Sequence, residues 1–409
     1  MQDHHIDQDA ALARIDVDRV RAETAGLDRR IHVNNAGASP PPDVVLEATI
    51  DYLRIEALDG GYETAAAKLH ELDRVYGEAS KMLHCSEHEV AFQQNATQAW
   101  WAGFNAVPLR AGDRILASTA EYVSSGIAMN QAVERGIEVE LIPDDEHGQT
   151  SVASLVDMLD ERVKLVCATH VPTSGGLINP VEQIGVAVKQ GSDAFFLVDV
   201  CQSVGQLPVD VEAMKADFAA MTGRKFCRAP RGTGLLYQRD GLSGLKAPAV
   251  SDGWGSAWAA PWSVVPKSDA RVHELFEYSF AAKFGFGLAL EYANELGLDN
   301  IAARVGALAS RLRTQLASIR GVAIADQGEH KSGIVTFTVD GLAAIDVKDH
   351  LTARGVNASV AQAVASQFAM AERGPDGFVR LSVHYFNTVD ELDRVCAVVA
   401  ELQPSATLN

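Results

Sequence analysis

Residues 193–237, DAFFLVDVCQSVGQLPVDVEAMKADFAAMTGRKFCRAPRGTGLLY, decide how this sequence is interpreted. One apolar run ends on the acid Asp199, and the next is followed by Thr222-Gly223-Arg224-Lys225. If the two runs are neighbouring parallel strands, their carboxyl ends bring Asp199 and Lys225 to the same edge of a sheet. There a carboxylate could keep a ring nitrogen protonated, and a lysine could form a Schiff base. A structural ion pair between the two residues is the alternative.

On both sides of this segment, short β-rich runs alternate with stretches of helical pattern. The amphipathic segments Val152–Leu159 and Pro180–Lys189 lie between such runs. Strands that alternate with helices form a mostly parallel, doubly wound sheet flanked by helices, so the sequence predicts an α/β fold. The predicted strands are Val90–Gln93, Arg114–Ala117, Glu138–Ile142, Leu165–Ala168, Ala194–Asp199, Phe218–Met221 and Gly234–Gln238.

Three segments are predicted along the chain: a polar lead-in over residues 1–30, a large domain over 31–270 and a smaller α+β domain over 271–409. The lead-in carries a short helical pattern around Val17–Ala25. The elements predicted for the smaller domain are helices at Phe284–Leu296, Ile301–Ile319 and Ala344–Arg354, and strands at Gly333–Val339 and Val379–Val383.

Residues 240–270 interrupt this pattern. They combine prolines and glycines with Trp254, Trp258 and Trp262. Proline and glycine break regular elements, so we predict an irregular loop packed by its aromatic side chains.

Composition excludes several classes of partner. The 409 residues include 35 Lys and Arg against 54 Asp and Glu, a formal charge of −19. Such a surface repels nucleic acids and anionic membranes, and no apolar stretch approaches the roughly 20 residues that span a bilayer. The five cysteines are scattered, which favours reduced thiols over disulfides or a zinc site and agrees with a cytoplasmic protein.

The segment quoted above resembles the signature of the class V aminotransferase and cysteine desulfurase superfamily. The resemblance is carried by Asp199-Val200-Cys201-Gln202-Ser203, by Thr222-Gly223-Arg224-Lys225 and by Ala229-Pro230-Arg231-Gly232. It extends from Asn34-Asn35-Ala36-Gly37 to Arg380. It implies the fold type I of enzymes that use pyridoxal 5′-phosphate (PLP). Within the superfamily, the sequence most resembles C–S lyases of the hercynylcysteine sulfoxide lyase kind and members similar to isopenicillin N epimerases.

The resemblance also assigns roles to residues. Lys225 becomes the Schiff-base lysine that later moves a proton, Asp199 the partner of the pyridine nitrogen, and Gln202 the contact to the phenolic oxygen. Tyr122 takes the place of the ring that stacks on the cofactor and counts as catalytic. The residues assigned to the phosphate are Ala96, Thr97, Thr222 and Arg224, with Thr97 also expected to cap a helix. Those assigned to a small amino-acid substrate are Arg380, which grips the carboxylate, with Asn35 and Thr173, the last also near the cofactor.

One feature of cysteine desulfurases is missing. These enzymes carry a nucleophilic cysteine on a loop of the small domain, and the corresponding stretch here, Gly355–Gly377, contains none. We therefore predict β-elimination of the C–S lyase type without a thiol nucleophile. The alternatives are an aminotransferase, an epimerase or racemase, or a silent PLP-binding protein.

The resemblance further implies a homodimer with shared active sites. The aromatic-rich segment 250–280 would be an exposed apolar patch in a monomer. Ser279 and Lys283 are candidates for completing the phosphate site of the partner subunit.

Overall fold

A computed structural model describes residues 8–374 and 376–402. The outer ends of the predicted lead-in and of the predicted small domain, residues 1–7 and 403–409, lie outside the described residues. The strands, numbered in chain order, are β1 Ile31–His32, β2 Val90–Gln93, β3 Arg114–Ala117, β4 Glu138–Leu141, β5 Val163–Thr169, β6 Phe195–Asp199, β7 Phe218–Thr222, β8 Gly234–Gln238, β9 Ser256–Ala260, β10 Ser263–Pro266, β11 Val322–Ile324, β12 Ile334–Val339, β13 Val356–Asn357, β14 Ser359–Ala361 and β15 Phe378–Ser382.

The helices of the same residues are numbered likewise. They are α1 Gln8–Leu12, α2 Val17–Ala22, α3 Asp43–Asp59, α4 Gly61–Ala67, α5 Leu69–Leu83, α6 Ala96–Ala106, α7 Val123–Glu134, α8 Val152–Met158, α9 Val181–Gly191, α10 Phe280–Leu296, α11 Leu298–Ser318, α12 Ala344–Ala353, α13 Gln367–Arg373 and α14 Val389–Ala400. No helix within the described ranges is long and apolar enough to cross a membrane.

The large sheet confirms the predicted fold class. Its strand order is β2-β8-β7-β6-β5-β3-β4, and all seven strands predicted from the sequence form it. Strands β4, β3, β5, β6 and β7 are parallel to one another, whereas β8 is antiparallel to both β7 and β2.

Helices cover both faces of this sheet, and its strands β5, β6, β7 and β8 are mostly apolar and buried, whereas the edge strand β4 is exposed or half-buried. Alternate side chains of a strand enter opposite cores. In β5, Leu165 and Cys167 join the core beneath α6 and α7, whereas Val166 and Ala168 join the larger core on the other face.

A second sheet lies in the C-terminal third of the chain. Strands β11, β12, β15 and β14 pair antiparallel in that order, and helices α11, α12 and α14 pack around them. This is the α+β arrangement expected there. The carboxyl ends of the large sheet's strands face β15, and the candidate functional site lies where the two sheets meet.

The lead-in is tied to the C-terminal part of the chain. Helix α1 packs on α11, and β1 pairs with β13. Helix α10 instead packs on α3 and α5, where the rings of Tyr52 and Phe284 lie 5.4 Å apart. The division at residue 270 stays a prediction.

The predicted irregular loop at 240–270 is wrong in part. Residues 256–266 form an antiparallel hairpin of β9 and β10. Trp254 is packed as predicted, with its ring 6.1 Å from that of Phe276, but on the hairpin Trp258 is 79% exposed and Trp262 fully so. The turn between the strands needs a positive φ at Trp262, 67°, which the proline and glycine count did not indicate.

Two helix glycines allow a matched test of packing against helix propensity. A Cβ at Gly185 in α9 would lie 1.8 Å from the carbonyl oxygen of Met214, whereas one at Gly306 in α11 would meet nothing within 4 Å. We expect Gly306→Ala to raise the free energy of unfolding by about 0.5–1 kcal/mol. Gly185→Ala should lower it by about 1–3 kcal/mol. Urea unfolding of both variants measures the two changes in the free energy of unfolding. Equal changes would show that close packing against Met214 does not determine the cost of a side chain at Gly185.

Candidate active site

A pocket of about 530 Å³ opens where the carboxyl ends of β5, β6 and β7 meet the start of α6 and strand β15. The polar residues that follow separate strands in the sequence meet here because parallel strands end at the same edge of a sheet. The register places Thr169 opposite Asp199. The predicted site residues that line the pocket are Ala96, Thr97, Tyr122, Thr173, Asp199, Gln202, Thr222, Arg224, Lys225 and Arg380.

Asn35 is the predicted site residue outside this wall. It is fully buried, its side-chain nitrogen donates to the carbonyl of Ser382 at 2.7 Å, and its side-chain oxygen accepts from the Ser39 hydroxyl at 2.9 Å. Asn35 therefore joins two segments of the fold and is not exposed to the pocket. Its neighbours Ala36 and Gly37 line the pocket instead.

Asp199 and Lys225 share the pocket without forming an ion pair within 4 Å, so the structural alternative for them is not realised. An oxygen of Asp199 accepts from the backbone N–H of Cys201 at 2.8 Å, which fixes the carboxylate. Burial lowers the pKa of Lys225. Cys201 and Asp199 act against this shift, while the charges of Arg224 and Arg380 add to it. The amine is thereby brought closer to the neutral form that a nucleophile or base requires.

The start of α6 forms one end of the pocket. Asn95, not Thr97, caps this helix, because its side-chain oxygen accepts from the N–H of Gln98 at 2.9 Å. Thr97 is the second helical residue, and the amides of Ala96 and Thr97 have no partner within the helix. The helix N-terminus thus offers free N–H groups to an anion.

A cationic group stands beside this helix end. Arg224 donates to the Thr222 hydroxyl at 3.1 Å. Strand β8 approaches closely because it begins with a glycine: a Cβ at Gly234 would lie 2.8 Å from the carbonyl carbon of Asn95. Arginine, threonine hydroxyls and helix amides together suit a phosphate.

Arg380 on β15 reaches the pocket from the second sheet. One guanidinium nitrogen donates to the Thr173 carbonyl at 2.9 Å and to its hydroxyl at 2.7 Å, and Gln202 also donates to that hydroxyl. The Nε of Arg380 is buried without a partner, and burial, with some help from Arg224, lowers its pKa to about 10. A buried guanidinium without an acid partner suits an incoming carboxylate.

Tyr122 and the segment after β14 form the outer wall. Tyr122, 38% exposed, precedes α7. The chain here has β14, a short 3₁₀ turn and α13, with Val360 and Ala365 lining the pocket. The Ser366 hydroxyl donates to the carbonyl of Glu121 at 3.2 Å and holds this segment against the large sheet.

Sequence reasoning missed Glu121. It is fully buried behind the pocket wall, and one oxygen accepts from Ser118 at 2.9 Å and from Thr169 at 3.2 Å. Burial, and then the charge of Asp199, raise the pKa of Glu121 to about 7. The position of Glu121 directly before Tyr122 was the feature of the sequence that could have indicated it.

The structure bears on one of the two candidates for a partner's phosphate site, and Ser279 stays a prediction. Lys283 is buried within its own chain, where its amine donates to the Tyr76 hydroxyl at 2.9 Å. Ser279 accepts from the N–H of Ala282 and starts α10. Lys283 therefore cannot reach a neighbouring subunit without leaving its own core.

The cysteines all lie within the described ranges, and only Cys201 lines the pocket. Burial raises the pKa of Cys201 well above that of an ordinary thiol, and the charge of Asp199 adds to this. Its thiol is kept protonated and is a poor nucleophile.

Comparison with known proteins identifies the family. The model of "Aminotransferase class-V" matches residues 31–395. The chain belongs to the class V aminotransferase family. Its relatives include a probable cysteine desulfurase of Methanothermobacter thermautotrophicus, 25% identical over 94% of this chain and 97% of the relative. A cysteine desulfurase of Escherichia fergusonii is 28% identical over 93% and 96%.

Solved structures share the fold. A cysteine desulfurase of Escherichia coli superimposes with a TM-score of 0.87, 19% identity and coverage of 95% of this chain and 98% of the other. The cystine C–S lyase C-DES gives a TM-score of 0.82, 21% identity and coverage of 93% and 99%. The chain therefore has the PLP fold type I, as the sequence predicted.

This family member is a PLP-dependent enzyme. The pocket fits the cofactor in its donors and acceptors. The carboxylate of Asp199, the amine of Lys225 and the free amides at the start of α6 share one cavity. The side-chain oxygen of Gln202 is buried there without a hydrogen-bond partner. Buried polar atoms are normally paired, so this oxygen is available to a ligand.

The raised pKa of Glu121 predicts a pH-dependent stability. An unfolded glutamate loses its proton near pH 4.5, but the folded one keeps it until about pH 7, so the free energy of unfolding falls across this window. Glu121→Gln removes the penalty. Without bound cofactor, we expect the variant to exceed the parent by on the order of 2–3 kcal/mol at pH 8 and by much less at pH 5.

Urea unfolding at the two pH values measures the effect. Glu134→Gln, at the exposed last position of α7, is the control and should show no pH-dependent gain. A Glu121→Gln difference that stays constant from pH 5 to pH 8 would contradict the burial argument.

Proposed function

We propose that this enzyme catalyses β-elimination from a small L-amino acid, in the manner of a C–S lyase and without a cysteine nucleophile. The observation that carries the proposal is the wall near Arg380. Val360 and Ala365 occupy it, and the one thiol in the pocket, Cys201, is buried and protonated. A persulfide mechanism has no suitable sulfur here. That one structural relative is a cystine C–S lyase supports the same choice.

The cofactor would be held by residues already described. Asp199 would keep the pyridine nitrogen protonated, Gln202 would contact the phenolic oxygen, and Tyr122 would cover the ring. Thr97, Thr222 and Arg224 would bind the phosphate. When bound, PLP supplies an electron-withdrawing ring that stabilises negative charge at the substrate's Cα.

Arg380 orients the substrate. Its partnerless Nε and its remaining donors receive the α-carboxylate, while Thr173 holds the guanidinium from the other side. This fixes the direction of the Cα–H bond relative to Lys225. Because the lysine's pKa is lowered by burial, its neutral Nζ takes the Cα proton and later returns a proton to the departing group.

The reaction balances without an external oxidant or nucleophile. The Cβ–S bond breaks, and its electron pair leaves with sulfur, which takes a proton. Hydrolysis of the remaining three-carbon fragment by one water gives pyruvate and ammonia. Transfer of the amino group, or return of the proton to the opposite face, would give the predicted alternatives instead.

Product analysis tests the proposal. With S-substituted cysteines, the enzyme should release pyruvate and ammonia in equal amounts, and a variant with all five cysteines replaced should retain turnover. Lys225→Ala should abolish it. A 2-oxo acid with an intact side chain would indicate transamination, and a racemised substrate would indicate an epimerase. Loss of turnover in a single cysteine variant that still binds cofactor would restore the desulfurase interpretation.

Borohydride reduction followed by peptide mapping checks the lysine separately. The cofactor label should lie on Lys225 and be absent from Lys225→Ala. Recovery of the label on Lys164 or Lys283 would contradict the assignment.

We also propose a homodimer whose active sites lie near the subunit interface. The hairpin of β9 and β10 supports this, since Trp258, Trp262, Val264 and Val265 leave an exposed apolar surface that water disfavours. Light scattering should give twice the chain mass of 43.8 kDa. Replacing Trp258 and Trp262 with Ser should shift the protein toward monomer, whereas Val133→Ser, at an exposed site on α7, should not. A parent protein that is monomeric and fully active would contradict the dimer.

A further inference from the structure

We infer that the substrate carries one carboxylate and an uncharged side chain. The inference rests on the proposed function, because it names the substrate class of the same site. It is carried by the number of charged groups in the pocket wall and by what each of them is needed for.

The pocket is a local exception to an acidic protein. The chain as a whole has a formal charge of −19. The charged residues that line the pocket are Arg224, Lys225, Arg231 and Arg380 on the positive side and Asp199 on the negative side. The cavity therefore selects anions, and the number of anionic groups it can neutralise is set by its three arginines.

Two of the arginines belong to the phosphate end. Arg224 donates to Thr222, and the charge of Arg231 adds to the burial that lowers the pKa of Arg224, so the two guanidinium groups act on one region. Strand β8, which begins shortly after Arg231, abuts the start of α6, since a Cβ at Gly234 would lie 3.1 Å from the amide nitrogen of Ala96. Two guanidinium groups and a helix N-terminus match a doubly charged phosphate.

Arg380 is then the one guanidinium left for the substrate. It has no carboxylate partner within the described part of the chain, and its bonds go to the neutral groups of Thr173. A planar fork of this kind accepts one carboxylate. The α-carboxylate of an amino acid uses it completely.

The remaining wall offers nothing to a second charge. Val171, Val360, Ala365 and Ser124 are neutral, and Glu121 lies behind the wall with its oxygen bound by Ser118 and Thr169. A distal carboxylate would lose water without gaining a cation, and a distal ammonium would face four basic residues. Both situations are unfavourable in a partly closed cavity.

This narrows the chemistry of the proposed lyase. Thioether and sulfoxide substituents on Cβ are uncharged and fit the pocket. A sulfinate is anionic before it leaves and does not fit. Aspartate and glutamate are excluded for the same reason, which also disfavours a transaminase that draws its amino group from a dicarboxylic amino acid.

Pairs of ligands that differ by one charge but not in size test the inference on the holoenzyme. Binding of L-asparagine against L-aspartate, and of L-glutamine against L-glutamate, is followed by the change in cofactor absorbance, a readout independent of turnover. We expect each acid to bind about tenfold or more weakly than its amide. S-methyl-L-cysteine sulfoxide should release pyruvate faster than L-cysteine sulfinate by a similar factor.

Arg231→Gln separates the two possible uses of that arginine. If it serves the phosphate, the variant should lose bound cofactor on dialysis more readily while the asparagine-to-aspartate ratio stays the same. Acids that bind as tightly as their amides, or a preference for acids that disappears in Arg231→Gln, would overturn the inference. If the amides are preferred but no substituted cysteine yields pyruvate, the charge argument stands and the proposed elimination fails.

Discussion

The pair of hydrogen bonds from Arg380 to Thr173 joins the two sheets, and the active site depends on it. Thr173 follows β5 of the large sheet, whereas Arg380 lies in the middle of β15 of the small one. Without this contact the large sheet would still gather its strand-end residues, but Arg380 would not be held against them. The same strand also reaches the lysine loop, because His384 shares a 2.8 Å hydrogen bond with the carbonyl of Phe226, next to Lys225.

The pocket carries an excess of positive charge, which its ligands would neutralise. Three guanidinium groups and a lysine line a cavity that contains a single facing carboxylate. Repulsion among these cations is part of the reason that Lys225 and Arg380 have lowered pKa values, although burial is the larger cause. The phosphate of the cofactor and the carboxylate of the proposed substrate would relieve this repulsion. Relief of this repulsion would favour binding at the phosphate end of the pocket and near Arg380. A ligand would also not have to break a strong internal ion pair in order to bind there.

Sequence predicted the strands and the meeting of Asp199 and Lys225 at one edge of the sheet because both depend on local pattern. Apolar runs with polar ends specify buried parallel strands, and strand ends converge in any such sheet. Three details depended on contacts that the pattern does not contain. The cap of α6 is Asn95 and not the predicted Thr97. Both residue types cap helices, and only the exact starting residue of the helix decides between them. The amide of Asn35 was taken up by Ser382, which is distant in sequence. The tryptophan-rich run formed an exposed hairpin, which no residue of the described ranges covers.

The stretch between β14 and β15 shows most clearly what sequence can and cannot decide. That it lacks a cysteine is visible in the letters alone. That it closes the pocket is not, since closure depends on the Ser366 hydroxyl reaching the backbone of Glu121 and on the Phe368 ring packing beside Gly126. These contacts place the small apolar side chains of Val360 and Ala365 against the pocket. In the elimination that we propose, the fate of the substrate then depends on whether its own substituent can leave without a protein nucleophile, so this wall would constrain the reaction as firmly as Lys225.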